Sequence, residues 1–407
     1  MSTNSHVPPV DTTHTGDWRE RFGGVMMGSS ALPLALLVRG EGCFVWDADG
    51  KRYLDFLAGI AVNALGHAHP VLVEAVSRQV ATLAHVSNYF ATPPQLELAE
   101  RLLRLTGAGE GGRVFFGNSG TEAIEAGVKL ARLNNKGGSR PRILSLRNSF
   151  HGRTMGALSL TGKPSLREPF EPLLPGVEHI ESSIEALEEA MDDTVAALFV
   201  EPIKGEAGVI DLPEGYLARA RELATKHGAL LILDEIQTGV GRTGSWFAFQ
   251  QHGIVPDALA LAKGIAGGVA IGALVTFGAA SELFTPGQHG STFGGNPLAT
   301  AAGNAVLGEI ERADLIENAV ARGQQLRSII AGFQSPLIAE IRGNGLLIGL
   351  GLTRPIAHEL SNAAMALGLI INAPNDSSIR IAPPLIVGDA ELTLFQKLFN
   401  EALEVVA

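Results

Sequence analysis

The sequence has almost no cysteine and no cluster of positive charge. Cys43 is the single cysteine among 407 residues, so no intrachain disulfide can form, which fits a reducing, cytoplasmic compartment. We expect this thiol to be a buried packing residue and not a nucleophile. The formal net charge is -11, and basic residues form no stripe. Nucleic acid is therefore not an expected partner, because that binding needs clustered Lys and Arg against phosphates.

Long hydrophobic segments are also scarce. Residues 1–16 are polar and lack the apolar core of a secretory signal, so a loose tail is expected there. The range 258–277 is almost wholly apolar and about as long as a membrane span. It contains Lys263 and four glycines, however, and a charged residue inside a span is costly. We predict two buried strands joined by a glycine-rich connection, and no membrane association.

From about residue 107 onward the sequence alternates short apolar runs with amphipathic segments. The apolar runs predict buried strands at 113–116, 143–146, 195–200, 229–233, 258–262 and 273–277. Helices are predicted at 121–134 and 216–227, the second ending at Gly228. Strands that alternate with helices indicate an α/β fold built on a mainly parallel, doubly wound sheet.

The two ends of the chain have a different pattern. Long helices are predicted at 296–311 and 315–332, followed by strands at 338–351 and 370–382 that suggest a smaller α+β unit. A strand–turn–strand signal at 43–56 is expected to pack with that unit. We therefore predict three parts: an N-terminal segment (1–60), a large domain (61–297) and a small C-terminal domain (298–407).

Polar residues follow several of the predicted strands directly. Ligands of such sheets bind beyond the carboxyl ends of the strands. Lys263 and Asp234 each follow an apolar run, as do Glu201 and the pair Ser119 and Thr121. These side chains are expected to line one pocket.

Lys263 and Asp234 carry the most specific chemistry. An amine buried without a local acidic partner is held partly neutral and nucleophilic, as Schiff-base chemistry requires. A carboxylate at a strand end can keep a pyridinium nitrogen protonated, which makes pyridoxal phosphate (PLP) an electron sink. Taken alone, Asp234-Glu235 is equally compatible with a magnesium site. Lys263 two strands further on favours PLP.

Other positions have weaker signals. Ser119-Gly120-Thr121 opens a helix and suits a phosphate, although simple N-capping explains it as well. Arg153 and Arg380 are candidates for gripping a substrate carboxylate, or for structural ion pairs. The range 239–244 matches the dinucleotide pattern G-x-G-x-x-G but neither follows a strand immediately nor opens a helix, so an NAD site is not expected.

Together these residues resemble the class III (ω-type) aminotransferases of PLP fold type I, over about residues 39–386. The resemblance is carried by the following motifs: Gly66-His-x-His-Pro70, Asn118-Ser-Gly-Thr-Glu-Ala123, Phe150-His-Gly-Arg-Thr154, Glu201-Pro-Ile-x-Gly-Glu206, Asp234-Glu-Ile-Gln-Thr-Gly239, Leu261-Ala-Lys-Gly264 and Ser291-Thr-Phe-Gly-Gly-Asn-Pro297. Within the family the chain is most similar to the branch that acts on acetylornithine in arginine biosynthesis.

The resemblance implies the residues that bind the cofactor. Lys263 would hold PLP covalently and shuttle the proton, and Asp234 would pair with the ring nitrogen. The remaining cofactor-binding positions it implies are Ser119, Gly120, Thr121, Phe150, Glu235, Ile236 and Gln237. Thr292 would reach the phosphate of a neighbouring subunit, so the resemblance implies a homodimer with shared active sites.

The resemblance also implies the substrate contacts. Arg153 would bind the acetylornithine carboxylate with Ser291 close by, and Arg380 would bind the glutamate α-carboxylate, with Glu206 neutralising it in the other half-reaction. The expected acceptor is 2-oxoglutarate, and no metal is expected.

Four positions depart from the usual pattern of the branch: Ile124, Lys204, Ala266 and Ala270. The alternatives are therefore succinyldiaminopimelate as a second substrate, or another ω-aminotransferase that uses ornithine, 4-aminobutyrate or a related diamine. An isomerising aminomutase and a PLP-fold binding protein without catalysis are further alternatives. Retention of Lys263 with Asp234 speaks against the last.

Overall fold

The computed structural model describes residues 17–29 and 31–407, so the tail expected at 1–16 lies outside the described residues. The first part of the chain is a short helix, a three-stranded hairpin unit and three further helices. Its elements are α1 (Trp18–Val25), β1 (Leu37–Glu41), β2 (Phe44–Asp47), β3 (Arg52–Asp55), α2 (Ala58–Ala61), α3 (Pro70–Thr82) and α4 (Pro93–Thr106). Proline at the first helical position begins both α3 and α4, where its missing N–H has no helical partner to lose.

The middle of the chain alternates strands with helices. Its elements are β4 (Arg113–Gly117), α5 (Gly120–Leu133), β5 (Arg142–Leu146), α6 (Met155–Leu160), α7 (Pro164–Arg167), β6 (Val177–Ile180), α8 (Ile184–Ala190), β7 (Val195–Val200), β8 (Ile203–Lys204), β9 (Ile210–Asp211), α9 (Tyr216–His227), β10 (Leu230–Asp234), β11 (Ala258–Leu261) and β12 (Gly272–Thr276). Gly228 has φ 67° at the end of α9, as expected for a C-terminal glycine.

The last part is helical at both ends and encloses a second sheet. Its elements are α10 (Pro297–Arg312), α11 (Leu315–Gly332), β13 (Ile338–Asn344), β14 (Leu347–Leu352), α12 (Ala357–Leu367), β15 (Leu369–Ile370), β16 (Asn372–Asn375), β17 (Ser378–Ile381) and α13 (Asp389–Val406).

A seven-stranded sheet forms the centre of the molecule, in the order β4-β12-β11-β10-β7-β5-β6. Only β12 runs antiparallel to its neighbours, so the expected mainly parallel α/β sheet is confirmed. All six residues of β7 are buried, because helices cover both faces of the sheet. On one face, Gly127 of α5 lies so close to the sheet that an added Cβ would contact Phe199 at 3.1 Å.

The apolar range 258–277 belongs to this sheet. It forms β11 and β12, which pair antiparallel with Leu259 opposite Val275. The described residues contain no helix long and apolar enough to cross a membrane. The range 239–244 consists of turns and opens no helix, so it lacks the geometry of a dinucleotide loop.

Two smaller sheets bring the chain ends together. The strand β3 pairs in parallel with β15, and the amide of Leu54 donates to the carbonyl of Gly368 at 2.8 Å. The antiparallel sheet β13-β14-β17-β16 carries Arg380 on β17. The helix α10 packs against α3 and α4, while α11 packs against β13 and α13. The boundaries at residues 60 and 297 stay a prediction.

Candidate active site

A cavity of about 400 Å³ lies at the carboxyl ends of β4, β5, β10 and β11. The cavity brings together residues that were predicted from the sequence to share one site. They are Ser119, Gly120, Thr121, Phe150, Arg153, Glu201, Glu206, Asp234, Ile236, Gln237 and Lys263. The strand ends meet at one edge of the sheet, so Ser119 and Lys263, 144 positions apart, share one site.

Asp234 is buried at the end of β10 and makes two hydrogen bonds. Its Oδ1 accepts the amide of Ile236 at 3.1 Å, and its Oδ2 lies 2.7 Å from Nδ1 of His151. The His151 side chain is fully buried, and its Nε2 has no partner among the described residues. Burial alone would lower the pKa of His151, but the hydrogen bond and charge of Asp234 outweigh it and raise that pKa.

Glu201 is a second buried acid, and it lines the cavity as predicted from its place after an apolar run. Its carboxylate accepts the amides of Phe150 at 2.8 Å and of Gly205 at 3.2 Å. Desolvation by burial raises the pKa of Glu201 to about 7. The carboxylate thus ties the Phe150 loop to the segment that leads to Glu206.

The sequence places His151 and Glu201 shortly after predicted strands, but the prediction gave neither residue a role. Both lie in motifs that were noticed, His151 directly after Phe150 and Glu201 five residues before Glu206. Their contacts run between segments 83 and 51 residues apart, which no local pattern encodes.

Lys263 begins a 3₁₀ turn immediately after β11, with φ 34°. Desolvation by burial lowers the pKa of its ammonium group to about 8, although the negative charge of Glu206 opposes the shift. A larger fraction of the amine is therefore neutral near pH 7 than for an ordinary lysine, which makes Nζ a competent nucleophile.

The first turn of α5 provides a site for an anion. The Ser119 hydroxyl accepts the amide of Glu122 at 3.4 Å, so this serine also caps the helix. The opening amides of a helix lack intrahelical partners and, with the helix dipole, favour a phosphate. Gly120 lets Ile236 lie close to the helix start, because an added Cβ would meet Cδ1 of Ile236 at 2.7 Å and force that side chain to shift.

The two predicted substrate arginines have opposite surroundings. Arg153 is exposed at the mouth of the cavity, with its guanidinium carbon 5.5 Å from the centre of the Phe150 ring. Arg380 is fully buried and forms an ion pair with Glu206. Its Nη1 also donates to Oε1 of Gln237 at 3.1 Å. Arg380 is not itself a lining residue, but Glu206 and Gln237 connect it to the cavity.

The pKa of Glu206 is set by two opposing effects. Burial raises it, but the charge and hydrogen bond of Arg380 prevail, so the pKa lies below its usual value. Glu206 is therefore ionised near neutral pH, and its negative charge neutralises the positive charge of Arg380.

Besides Arg380, three of the expected site residues do not line the cavity of this chain: Ser291, Thr292 and Glu235. The Ser291 hydroxyl accepts a 3.3 Å hydrogen bond from the side chain of Asn118, a lining residue. Thr292 is exposed in a separate surface depression that it shares with Tyr89.

Glu235 faces away from the cavity. Its carboxylate accepts the amides of Ala248 at 2.6 Å and Phe249 at 2.8 Å, and the Thr238 hydroxyl at 3.1 Å. The expectation that Glu235 contacts the cofactor needs correction: the side chain holds the turn at 248–249, because it points to the opposite side of the chain from Asp234.

Of the four departures noted in the sequence, only Ala270 lines the cavity. Ile124 and Ala266 are buried in the core. Lys204 is buried and donates to the Ser182 hydroxyl at 2.9 Å. The departure that bears on substrate fit is therefore Ala270.

Comparison with known proteins identifies the family. The family model for aminotransferase class-III matches residues 26–403. The acetylornithine aminotransferase of Streptomyces coelicolor is 50% identical over 378 residues, covering 92% of each chain. That of Mycobacterium tuberculosis H37Rv is 49% identical over 385 residues, covering 94% of this chain and 95% of the relative.

Solved structures agree with this assignment. The ornithine aminotransferase of Toxoplasma gondii superimposes with a TM-score of 0.90 at 33% identity, covering 95% of this chain and 94% of that one. The acetylornithine aminotransferase of Elizabethkingia anophelis gives 0.85 at 36% identity, covering 95% and 98%.

The residues present fit PLP, the cofactor of this family. The helix start at Gly120 matches a phosphate, the buried Asp234 matches a pyridinium nitrogen, and the desolvated Lys263 matches an aldehyde. Because the family model matches residues 26–403 and the cavity has the residue types that a PLP site needs, this chain belongs to the class-III aminotransferases.

Proposed function

We propose that this enzyme transfers the δ-amino group of N2-acetyl-L-ornithine to 2-oxoglutarate, giving N-acetylglutamate 5-semialdehyde and glutamate in arginine biosynthesis. The observation that carries the proposal is the pair of arginines: Arg153 is exposed at the mouth of the cavity, and Arg380 is neutralised by Glu206. N-acetylornithine has one carboxylate, which is remote from the amino group that reacts. Glutamate and 2-oxoglutarate have in addition an α-carboxylate next to the reacting carbon, so two arginines match the two substrates.

The similarity to known enzymes supports the same substrate. Identity to acetylornithine aminotransferases is 50% and 49%, against 33% to the ornithine aminotransferase structure. Ornithine, 4-aminobutyrate and succinyldiaminopimelate are the alternative amino donors, and the measurement below compares them. Ala270 is the departure from the branch that lines the cavity, so it is the one that can affect the fit of these donors.

Lys263 and Asp234 would do the proton chemistry. When bound, PLP supplies a ring that accepts the electron pair released at the substrate carbon. Asp234 would hold a proton on the ring nitrogen through its carboxylate, with His151 fixing its orientation. Lys263 Nζ would take the proton from the substrate carbon and return it to the cofactor side, a role suited to its lowered pKa of about 8.

Other residues would position the reacting groups. The start of α5 at Gly120 and Thr121 would bind phosphate, while Gln237 would contact the ring hydroxyl. Phe150 and Ile236 would pack on the two faces of the ring. Release of Glu206 from Arg380 would uncover the guanidinium for the α-carboxylate of glutamate.

We also propose a cytoplasmic homodimer. Tyr89 and Phe293 are exposed by 93% and 59%, and Phe90 by 67%. Large apolar side chains grouped in this way mark a binding surface, and Thr292 lies beside Tyr89. A second copy would cover the rings and receive Thr292 at its phosphate site. Sedimentation at twice the 42.6 kDa chain mass, lost in Phe293→Glu, would support the dimer, and a wild-type monomer would refute it.

The test of the function is a comparison of amino donors. Purified holoenzyme is assayed with 2-oxoglutarate and, in turn, N-acetylornithine, N-succinyldiaminopimelate, ornithine and 4-aminobutyrate. The proposal predicts that kcat/KM for acetylornithine exceeds the values for ornithine and 4-aminobutyrate by at least about tenfold, which corresponds to ~1.4 kcal/mol. Ornithine has a charged α-ammonium group beside its carboxylate where acetylornithine has a neutral acetamide, and 4-aminobutyrate lacks the acetamide altogether. Equal or higher values for either of these two amines would assign the substrate differently.

A further inference from the structure

Residues 58–61 form a turn of left-handed helix beside the cavity. Their φ angles are 50°, 64°, 65° and 62° in order. The amide of Val62 donates to the carbonyl of Ala58 at 2.9 Å, and that of Ala61 to Leu57 at 2.9 Å. Left-handed helix brings each Cβ against the following carbonyl oxygen, and the β-branched Ile60 is the least suited residue to it. Only the glycine of the four adopts this backbone without strain.

A single carboxylate holds the start of the turn. Oδ1 of Asp55 accepts the amides of Leu57 at 3.0 Å and Ala58 at 2.8 Å. Its Oδ2 lies 2.8 Å from Nε2 of His67. Asp55 is 5% exposed, so these bonds are shielded from water. Strained backbone persists only where its surroundings enforce it, and Asp55 is the side chain that does so here.

The turn lies where three parts of the site meet. Its last residue, Ala61, packs in a small buried cluster with Ile203, Val209, Leu347 and Ala382. The first two flank the segment that carries Glu206, and Ala382 is two residues beyond Arg380. The next residue, Val62, lines the cavity itself. A change in the turn therefore moves the wall that faces the substrate.

We propose that Asp55 is a positioning residue for the amino donor: its carboxylate holds the left-handed turn and thereby fixes the cavity wall at Val62. The inference rests on the proposed function for the choice of substrate. Because Asp55 acts on the shape of the wall and not on the proton-transfer groups, its removal weakens binding of the donor more than it slows the chemistry.

The central comparison uses holoenzyme variants assayed with N-acetylornithine. Asp55→Ala removes both acceptor oxygens and is expected to raise KM about tenfold, with kcat within about threefold of wild type. Asp55→Asn keeps an oxygen for the two amides and is expected to keep KM within about twofold.

Asp47 provides a matched control. It is also buried, and its carboxylate accepts the amides of Asp49 at 3.1 Å and Lys51 at 2.8 Å and the Tyr53 hydroxyl at 2.7 Å. It lies in the same sheet but away from the cavity. Asp47→Ala is expected to lower thermal stability while leaving KM unchanged.

A second pair of variants tests the strain without using activity. In ordinary backbone, glycine is less stable than alanine, but in left-handed backbone the order reverses. Ile60→Gly is therefore expected to melt above Ile60→Ala. This comparison tests the left-handed backbone that the role of Asp55 requires, and it can be made even if Asp55→Ala does not fold.

The outcomes separate the two proposals. Unchanged KM in a folded Asp55→Ala, an equal rise in Asp47→Ala, or a higher Tm for Ile60→Ala than for Ile60→Gly would each overturn the role of Asp55. If wild-type enzyme itself does not convert N-acetylornithine, the substrate proposal fails, and the Asp55 series is measured with the amine that it does convert.

Discussion

Nδ1 of His151 lies 2.7 Å from Oδ2 of Asp234, and both side chains are buried. This is the hydrogen bond of the imidazole, because its Nε2 has no partner within the described part of the chain. The contact fixes the orientation of the carboxylate that faces the cavity. It joins two motifs that the sequence keeps 83 residues apart.

His151→Ala is expected to lower kcat about 10–100-fold, because an unsupported Asp234 loses its orientation at the ring nitrogen. His151→Asn restores a donor near the Nδ1 position and should recover much of that loss. Steady-state kinetics at saturating substrates measures both. A wild-type kcat in His151→Ala would show that the contact has no catalytic consequence.

Asp234→Asn is expected to lower kcat by about 10²–10³-fold, since the amide cannot hold a proton on the ring nitrogen by charge. The neighbouring Glu235→Gln is the matched control. Glu235 is buried with a pKa raised by desolvation to about 7, and it binds amides away from the cavity. Its replacement should alter thermal stability and leave kcat nearly unchanged. Equal losses of kcat in the two variants would contradict the assignment.

Attachment of PLP to apoenzyme should depend on pH through Lys263. The neutral amine is the reactive form, and the pKa of about 8 means that its fraction rises with pH up to about 8 and then levels off. For an ordinary lysine the rise would continue to about pH 10. Stopped-flow absorbance of cofactor loading between pH 6 and 10 follows this. A rate still climbing tenfold per unit at pH 9.5 would be incompatible with the lowered pKa.

The two arginines should separate the half-reactions. Arg153→Ala is expected to raise KM for N-acetylornithine about 10–100-fold with a smaller effect on 2-oxoglutarate. Arg380→Ala also leaves the half-buried carboxylate of Glu206 without its ion-pair partner, so it should impair the 2-oxoglutarate half-reaction more strongly and lower stability. Single-turnover measurements of each half-reaction distinguish them. The reverse pattern would exchange the two assignments.

Much of the fold follows from local pattern. The strand at Val195–Val200 and the helices Tyr216–His227 and Leu315–Gly332 have the predicted bounds, because their apolar periodicity and terminal residues are unambiguous. The rule that ligands bind beyond strand ends predicted that Lys263 and Asp234 share one cavity, and both residues line it.

What could not be predicted depends on long-range contact. The sequence near residues 58–61 does not predict four consecutive left-handed residues, since only one of the four is glycine. The hydrogen bond from the amide of Ala58 to the carboxylate of Asp55 is not encoded in a local pattern. The resemblance implied Glu235 as a cofactor-binding residue, but its carboxylate accepts the amides of the turn at 248–249, away from the cavity. Thr292 lies outside the cavity of its own chain, and a sequence pattern within one chain does not show what this residue would contact in a second copy.

The most direct test of the account is where the cofactor attaches. Holoenzyme is reduced with borohydride, digested and analysed by peptide mass spectrometry for the pyridoxyl group. The account predicts a single modified residue, Lys263, and no modification or turnover in folded Lys263→Ala. Modification of another lysine, such as the buried Lys204, or turnover without Lys263, would contradict it.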